Sequence, residues 1–123
     1  MILYHFTLEQ NLSGISKRGL LVTPIRYDFP FTSGSVWLTT ETNPGPWAIA
    51  KDGCRLTITI PAGDKRLERF SKLFKQHYRS KEIKDFQRRL NRPAAFSSAM
   101  KHWWVYYGNI PRSRIVETKS FTS

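Results

Sequence analysis

The stretch LYHFTLEQNLSGISKRGLLV, residues 3–22, contains a complete strand–helix–strand pattern, and it decides the fold. Residues 3–7 are apolar, aromatic and β-branched, which is typical of a short strand. Residues 20–22 are all apolar and predict the start of a second strand, which Pro24 ends. Because strands and a helix alternate within these 20 residues, the stretch favours a small domain that contains both helices and strands.

A short helix is predicted between these two strands, over residues 8–18. Thr7 is placed to cap its first turn, and Gly19 stands where a helix commonly ends in a glycine. The prediction rests on apolar residues spaced four and three apart, which lie on one face of a helix: Leu8, Leu12 and Ile15.

Further strands are predicted outward from this unit, at residues 35–40, 55–60, 103–107 and 115–117. They are rich in β-branched and aromatic residues and are separated by proline and glycine. Because side chains alternate along a strand, the adjacent Trp103 and Trp104 are expected on opposite faces. The order of elements predicts an α+β fold with a largely antiparallel or split sheet.

Residues 64–92 differ from the rest of the chain in their high content of Lys and Arg, which make up 11 of these 29 residues. They predict two amphipathic helices joined near residues 79–80, and we interpret them as a basic helical insert. With 123 residues, the chain fits one domain, residues 1–123. The apolar residues at helical spacing are Leu67, Phe70 and Phe74 in the first helix, and Ile83, Phe86 and Leu90 in the second.

The charge of the chain indicates its partners. Lys and Arg number 20 against 9 acidic residues, a formal net charge of +11. Such an excess favours nucleic acid first and an anionic membrane second, beside the simpler interpretation of a soluble basic protein. No apolar run approaches the ~20 residues that cross a bilayer, and the first residues do not resemble a signal peptide. We therefore expect a cytoplasmic protein with no membrane partner.

The basic insert is the candidate nucleic-acid surface. Only four acidic residues lie within it, so pairing inside the insert leaves a large positive excess. An acidic protein partner and a merely solvated face are the alternatives. The candidate nucleic-acid-binding residues are Lys72, Lys75, Arg79, Lys81, Lys84, Arg88, Arg89 and Arg92.

Cysteine and histidine give little sign of other chemistry. Cys54 is the one cysteine, so it forms no internal disulfide, and it is either a nucleophile or a strand residue without chemistry. No two histidines stand at helical spacing, so no metal site is predicted.

The opening segment resembles that of the ADP-ribosyltransferase superfamily. The matching residues are His5-x-Thr7, then Asn11-Leu12-x-x-Ile15, then Gly19-Leu20. The PARP-like branch begins with His-Gly-Thr, followed by Asn and Ile and then Gly-Leu. The start is also similar to that of DarT-type DNA-modifying toxins, and RNA 2′-phosphotransferases share the same overall fold.

Two later blocks resemble the same superfamily, in the same order. Residues 35–39 are similar to its Gly-(Ile/Leu)-Tyr-Phe-Ala segment, with Trp37 at the aromatic that stacks on nicotinamide. Residues 102–106 are similar to its Glu-Tyr-(Ile/Val)-Val-Tyr strand, with His102 at the catalytic glutamate.

The resemblance implies a small ADP-ribosyltransferase-like split antiparallel sheet, with NAD as the possible cofactor. It implies that His5 binds a ribose hydroxyl and that Thr7 positions the amide of a nicotinamide-like group. The implied catalytic residues are His5, Trp37 and His102, and the implied cofactor-binding residues are Tyr4, His5, Thr7, Trp37 and Thr39.

His102 is a departure from the family pattern. The family's glutamate stabilises positive charge that develops as the glycosidic bond breaks, and a charged histidine opposes that charge. A neutral histidine still accepts a hydrogen bond. Glu41 and Glu117 are possible substitute carboxylates, with Glu117 expected on the surface.

Three functions follow from these features. The first is a divergent ADP-ribosyltransferase-like enzyme that uses NAD or a related nucleotide and acts on DNA or RNA. The second is an inactive module that binds nucleic acid or nucleoprotein, by analogy with phage-type inhibitors of host machines. The third is a base-excision or phosphate-transfer enzyme with histidine as general acid or base.

Overall fold

A computed structural model describes residues 1–25, 30–43, 53–79, 81 and 93–120 of the chain. Within these residues, six strands form one sheet in the order β4-β5-β2-β1-β3-β6, and every neighbouring pair is antiparallel. The predicted α+β class and antiparallel sheet are therefore confirmed. The bounds of the strands are β1 Ile2–Leu8, β2 Val36–Thr39, β3 Gly53–Thr59, β4 Leu67–Arg69, β5 Trp103–Tyr106 and β6 Ile115–Ser120.

The helices that the structure describes pack against this sheet. They are α1 Leu12–Arg18, α2 Phe70–His77 and α3 Pro93–His102. Short 3₁₀ turns at Glu9–Asn11 and Arg112–Arg114 precede α1 and β6.

The sheet consists of two three-stranded halves. β1 pairs with β3 over seven positions, from Ile2 opposite Thr59 to Leu8 opposite Gly53, and β6 lies outside β3. In the other half, β5 lies between β2 and β4. The halves meet between β1 and β2, where Tyr4 opposite Thr39 is the one registered pair. We call this boundary the seam.

The two faces of the sheet carry different helices. Opposed residues of neighbouring strands point to the same face, so His5 shares one face with Leu56, and Trp37 shares the other with Val105. α1 packs on the first face through Ile15, and we call this the α1 face. α2 packs on the second, the α2 face.

Each face has its own hydrophobic core. On the α1 face, apolar residues of the sheet pack with residues of two loops, and Leu12 and Ile15 of α1 cover them. The buried members are Leu3, Leu20, Val36, Leu38, Leu56, Ile58, Ile60, Tyr106 and Ile110.

The core of the α2 face is smaller and largely aromatic. Phe70, Leu73 and Phe74 of α2 are buried there with Ala99 and Val105. Partly buried aromatic side chains surround them, among them Phe31, Trp37, Tyr78, Trp103 and Tyr107. Trp103 and Trp104 do lie on opposite faces, because Trp104 packs against the core of the α1 face.

The first helix is shorter than the sequence predicts. Thr7 and Leu8 remain in β1 because they pair with Cys54 and Gly53 of β3, so Thr7 does not cap the helix. Asn11 stands at the N-cap position instead, and Gly19 ends the helix as expected.

Residues 20–22 form no regular strand, which corrects that prediction. Leu20 makes an isolated bridge to Ile110, and the Val22 amide donates to the Asn109 side chain at 2.8 Å. Of the three apolar side chains in this segment, Leu20 is buried and Leu21 is exposed, so the apolar run does not indicate a strand.

The first part of the basic segment 64–92 is not an insert, because it supplies a strand of the sheet and a helix of the α2-face core. Leu67 was expected on a helix, but it lies in β4 opposite Tyr106 of β5. The helical prediction is correct for Phe70 and Phe74, which are buried in α2. The second predicted helix, with Ile83, Phe86 and Leu90, lies outside the described residues.

Gly19 is the point at which the α1 unit meets the end of the sheet. Its φ of +76° with ψ of −167° is accessible essentially to glycine alone. A Cβ atom at Gly19 would clash with the Ile110 carbonyl oxygen and lie 3.0 Å from the Arg112 nitrogen. Leu20 and Ile110 exchange two backbone hydrogen bonds of 2.8 Å beside it.

Gly19→Ala is expected to lower the free energy of unfolding by at least about 2 kcal/mol, because it adds backbone strain and a clash. Gly14→Ala is the matched control, since a Cβ atom there meets no atom within 4 Å. In the interior of α1, that substitution is expected to add about 0.5–1 kcal/mol. Urea unfolding of both variants checks the pair, and a Gly19→Ala protein of unchanged stability would contradict the assignment.

Candidate functional site: a polar pocket between β1 and α1

A pocket of ≈ 270 Å³ opens on the α1 face between β1, α1 and the segment after Gly19. Its lining combines an imidazole, a hydroxyl, an amide and a guanidinium with a few aliphatic side chains. No carboxylate is among the described residues that line it. The lining residues are His5, Thr7, Asn11, Gly14, Ile15, Arg18, Gly19, Leu20 and Leu21.

The opening motif converges on this pocket. His5 and Thr7 reach it because they stand two apart on β1 and share the α1 face. Asn11 and Ile15 follow from the turn and helix after β1, and Gly19 closes the wall. Leu12 belongs to the same motif but packs against the hydrophobic core instead.

His5 bridges the seam. Its Nδ1 lies 2.7 Å from the carbonyl oxygen of Trp37, and since a carbonyl only accepts, the imidazole donates. In a neutral ring this places the proton on Nδ1 and the acceptor lone pair on Nε2. The bond thus fixes the ring across β1 and β2.

Thr7 and Asn11 form a small polar pair at the pocket wall. The Asn11 amide donates to the Thr7 hydroxyl oxygen at 3.1 Å. This leaves an amide oxygen that accepts and a hydroxyl proton that donates, both suited to a ribose or to a carboxamide.

Arg18 is the cation of the pocket, and the sequence analysis did not select it. Asn11, Gly14 and Arg18 stand three and four residues apart, so they share one side of the helical segment. This spacing is the sequence signal that could have identified Arg18 as a pocket residue. An arginine at the end of a short helix is also explained by its favourable interaction with the helix dipole.

The structure does not bring all the predicted nucleotide-binding residues to this pocket. Tyr4, Trp37 and Thr39 point to the α2 face, because they alternate with His5 and Leu38 along their strands. The Trp37 ring packs 4.6 Å from that of Trp103, inside the aromatic core. Trp37 therefore contributes its carbonyl to His5, and its indole is not among the residues that line the pocket, so its stacking role stays a prediction.

His102 is also separate from the pocket lining. It ends α3, and its carbonyl accepts from the Thr40 amide at 3.1 Å, while its Nδ1 lies 3.0 Å from the Thr40 hydroxyl. These bonds join the start of β5 to the end of β2.

The two candidate substitute carboxylates have other partners. Glu41 accepts hydrogen bonds from Ser98 and Thr39. Glu117 is exposed on β6 and lies 3.8 Å from Arg55, which agrees with the surface position expected for it.

Cys54 is buried, and its thiol points to the Thr7 carbonyl at 3.5 Å. Burial, followed by the nearby Glu9 carboxylate, raises the pKa of the thiol above its ordinary value. Since the thiolate is the nucleophile, the described environment favours the unreactive form.

The candidate nucleic-acid-binding residues are only partly described. Lys72, Lys75, Arg79 and Lys81 are exposed, and Lys72 lies 3.5 Å from Glu68. α2 carries Lys72 and Lys75 on the α2 face, opposite the pocket. The other four predicted cations lie outside the described residues: Lys84, Arg88, Arg89 and Arg92.

The described ranges contain neither a metal-binding cluster nor a membrane-spanning helix. No cluster of three or more His, Cys, Asp or Glu side chains there could hold a metal ion. No helix in the described part of the chain has the length and apolar character to cross a membrane.

No protein-family model matches the sequence, and no curated protein sequence matches it. The resemblance to ADP-ribosyltransferases therefore stays a prediction based on the motif residues.

The seam bond of His5 can be separated from its role in the pocket. His5→Ala removes the donor to the Trp37 carbonyl and is expected to cost about 1 kcal/mol of unfolding free energy. His5→Asn keeps an N–H near the position of Nδ1, so we expect it to retain most of that stability. Thermal and urea unfolding compare the two, and equal destabilisation would show that the bond contributes nothing.

Cys54 is expected to react slowly with thiol reagents in the folded protein and rapidly in denaturant. Burial and the raised pKa both reduce the accessible thiolate. Labelling with a chromogenic disulfide at pH 8, with and without guanidinium chloride, measures the difference. Rapid labelling of the native protein would instead mark Cys54 as a reactive thiol.

Proposed function

We propose that the protein is a divergent ADP-ribosyltransferase-like enzyme that binds NAD or a related nucleotide in the β1–α1 pocket and acts on DNA or RNA. One observation supports this proposal above the others. The motif residues of the opening segment, from His5 to Leu20, line one pocket of the folded chain with the exception of Leu12, whereas the two later blocks lie outside its lining. They supply donors and acceptors of the kind that recognise ribose and carboxamide groups.

The pocket chemistry suits part of a nucleotide. At ≈ 270 Å³ it is somewhat smaller than the ~300–1,000 Å³ of sites for drug-sized ligands, so it accommodates one nucleoside portion with its phosphate rather than a whole dinucleotide. The His5 imidazole lies in the pocket wall where it contacts a ribose hydroxyl, and the Thr7–Asn11 pair binds polar groups of the ligand. Arg18 neutralises a phosphate, as arginine does wherever its planar group meets phosphate oxygens.

ADP-ribosyl transfer requires more than binding. The bond between ribose and nicotinamide breaks, nicotinamide leaves with the electron pair, and a nucleic-acid nitrogen or oxygen forms the new bond and gives up its proton. The positive charge that develops on the ribose calls for a nearby anion. In this proposal that anion is a carboxylate from outside the described lining of the pocket.

An inactive nucleotide- and nucleic-acid-binding module is the second candidate. The observation that favours it is the pocket itself, whose described lining includes a histidine, an arginine and no carboxylate. Such a lining supports binding without stabilising the transition state.

Incubation of the protein with labelled NAD and a panel of single- and double-stranded DNA and RNA distinguishes the two. The enzyme releases nicotinamide and labels nucleic acid, and His5→Asn abolishes both while remaining folded. Calorimetric titration of NAD into the same two proteins serves as the binding control. NAD binding that depends on His5 without transfer supports the second candidate. Absence of NAD binding, or equal binding by His5→Asn, contradicts both.

A further inference from the structure

Four cations lie together at the junction that Gly19 makes with the end of the sheet. Lys17 and Arg18 end α1, and Arg112 and Arg114 belong to the turn before β6. All four side chains are exposed, and we call this group the junction ridge. It is distinct from the α2 cations on which the sequence analysis concentrated.

Backbone contacts fix the ridge in place. Because Gly19 has no side chain, the end of α1 approaches the 110–112 segment, and the Arg112 guanidinium donates to the Ser16 carbonyl at 3.3 Å. The Arg114 amide donates to the Pro111 carbonyl at 3.0 Å, which holds the turn. The four cations therefore belong to two elements that hydrogen bonds join at this junction.

The charge of the ridge is largely uncompensated. Within the part of the chain that the structure describes, none of the four side chains makes an ion pair. Asp64 is an acid near Arg114, but its carboxylate already accepts from the Arg66 amide and the Tyr106 hydroxyl. The Arg66 amide above all, together with Tyr106, Arg66 and Arg114, lowers the pKa of Asp64. Four like charges held together cost free energy that an anionic partner recovers.

The position of the ridge relates it to the pocket. Arg18 belongs to both, since it lines the pocket wall beside Gly14. The described α2 cations project from the opposite face of the sheet, and Lys72 is partly neutralised by Glu68. A nucleic acid bound on α2 alone would lie across the sheet from the pocket, whereas one bound on the ridge lies at its mouth.

We propose that the junction ridge is the surface that binds the phosphate backbone of nucleic acid and guides it to the β1–α1 pocket. The inference rests on the proposed function for the nature of the partner, and it assigns the contact to residues that the resemblance does not include. Backbone binding of this kind is electrostatic and strongly dependent on salt.

The test uses two double variants with the same change in net charge. Lys17→Glu/Arg114→Glu alters the ridge at residues that do not line the pocket, and Lys75→Glu/Arg79→Glu alters the α2 side. Fluorescence anisotropy with labelled single-stranded and duplex oligonucleotides, at several salt concentrations and without NAD, measures affinity. The ridge variant is expected to bind about tenfold or more weaker, with a salt slope smaller by about two for duplex DNA. The α2 variant is expected to stay within about threefold of the unmodified protein.

Equal weakening in both variants, or greater weakening in the α2 variant, overturns the ridge assignment. Thermal unfolding of both variants controls for loss of structure. Such a loss is not expected, because the four substituted side chains are all exposed. A protein that binds NAD through His5 but shows no salt-sensitive binding of any oligonucleotide refutes the ridge and leaves the pocket standing. Conversely, ridge-dependent binding in a protein that does not bind NAD refutes the pocket proposal alone.

Discussion

The close approach of Gly19 to the backbone of Ile110 is the contact on which the rest of this structure depends. Two backbone hydrogen bonds between Leu20 and Ile110 tie the end of α1 to the segment that leads from β5 to β6. The contact closes one wall of the pocket, buries Leu20 and Ile110 in the core of the α1 face, and brings the end of α1 against the backbone of Arg112. A side chain at Gly19 would push the end of α1 away from Ile110, and it would therefore disrupt the pocket wall and the burial of Leu20 at the same time.

The seam between β1 and β2 explains why the pocket and the aromatic core are separate. Since the two strands share one registered pair, the Trp37 carbonyl accepts from a side chain, His5, across the boundary. Strand alternation then directs the His5 imidazole to the α1 face and the Trp37 indole to the α2 face. This hydrogen bond therefore adds to the backbone pairing between the half-sheets, and it also orients the group with which the pocket would bind a ribose.

Local patterns in the sequence predicted the elements well and their long-range contacts poorly. The alternation in β3 and the glycine after α1 are short-range signals, and both predictions are confirmed. Leu67 fits a helical spacing, but pairing with Tyr106 decides its conformation, and that partner is distant in sequence. For the site, the motif gave His5 and Thr7 correctly as neighbours, whereas the face of Trp37 depends on the register between strands. No spacing along one strand contains that information.

Amide NMR of the labelled protein during titration with NAD tests the central claim most directly, because it maps binding without requiring catalysis. The account predicts chemical-shift changes concentrated at His5, Thr7 and Asn11 and in the Arg18–Leu21 segment, with α2 unaffected. Changes confined to the aromatic residues around Trp37 would instead place a nucleotide on the other face of the sheet. A spectrum unchanged at millimolar NAD would contradict nucleotide binding in the pocket.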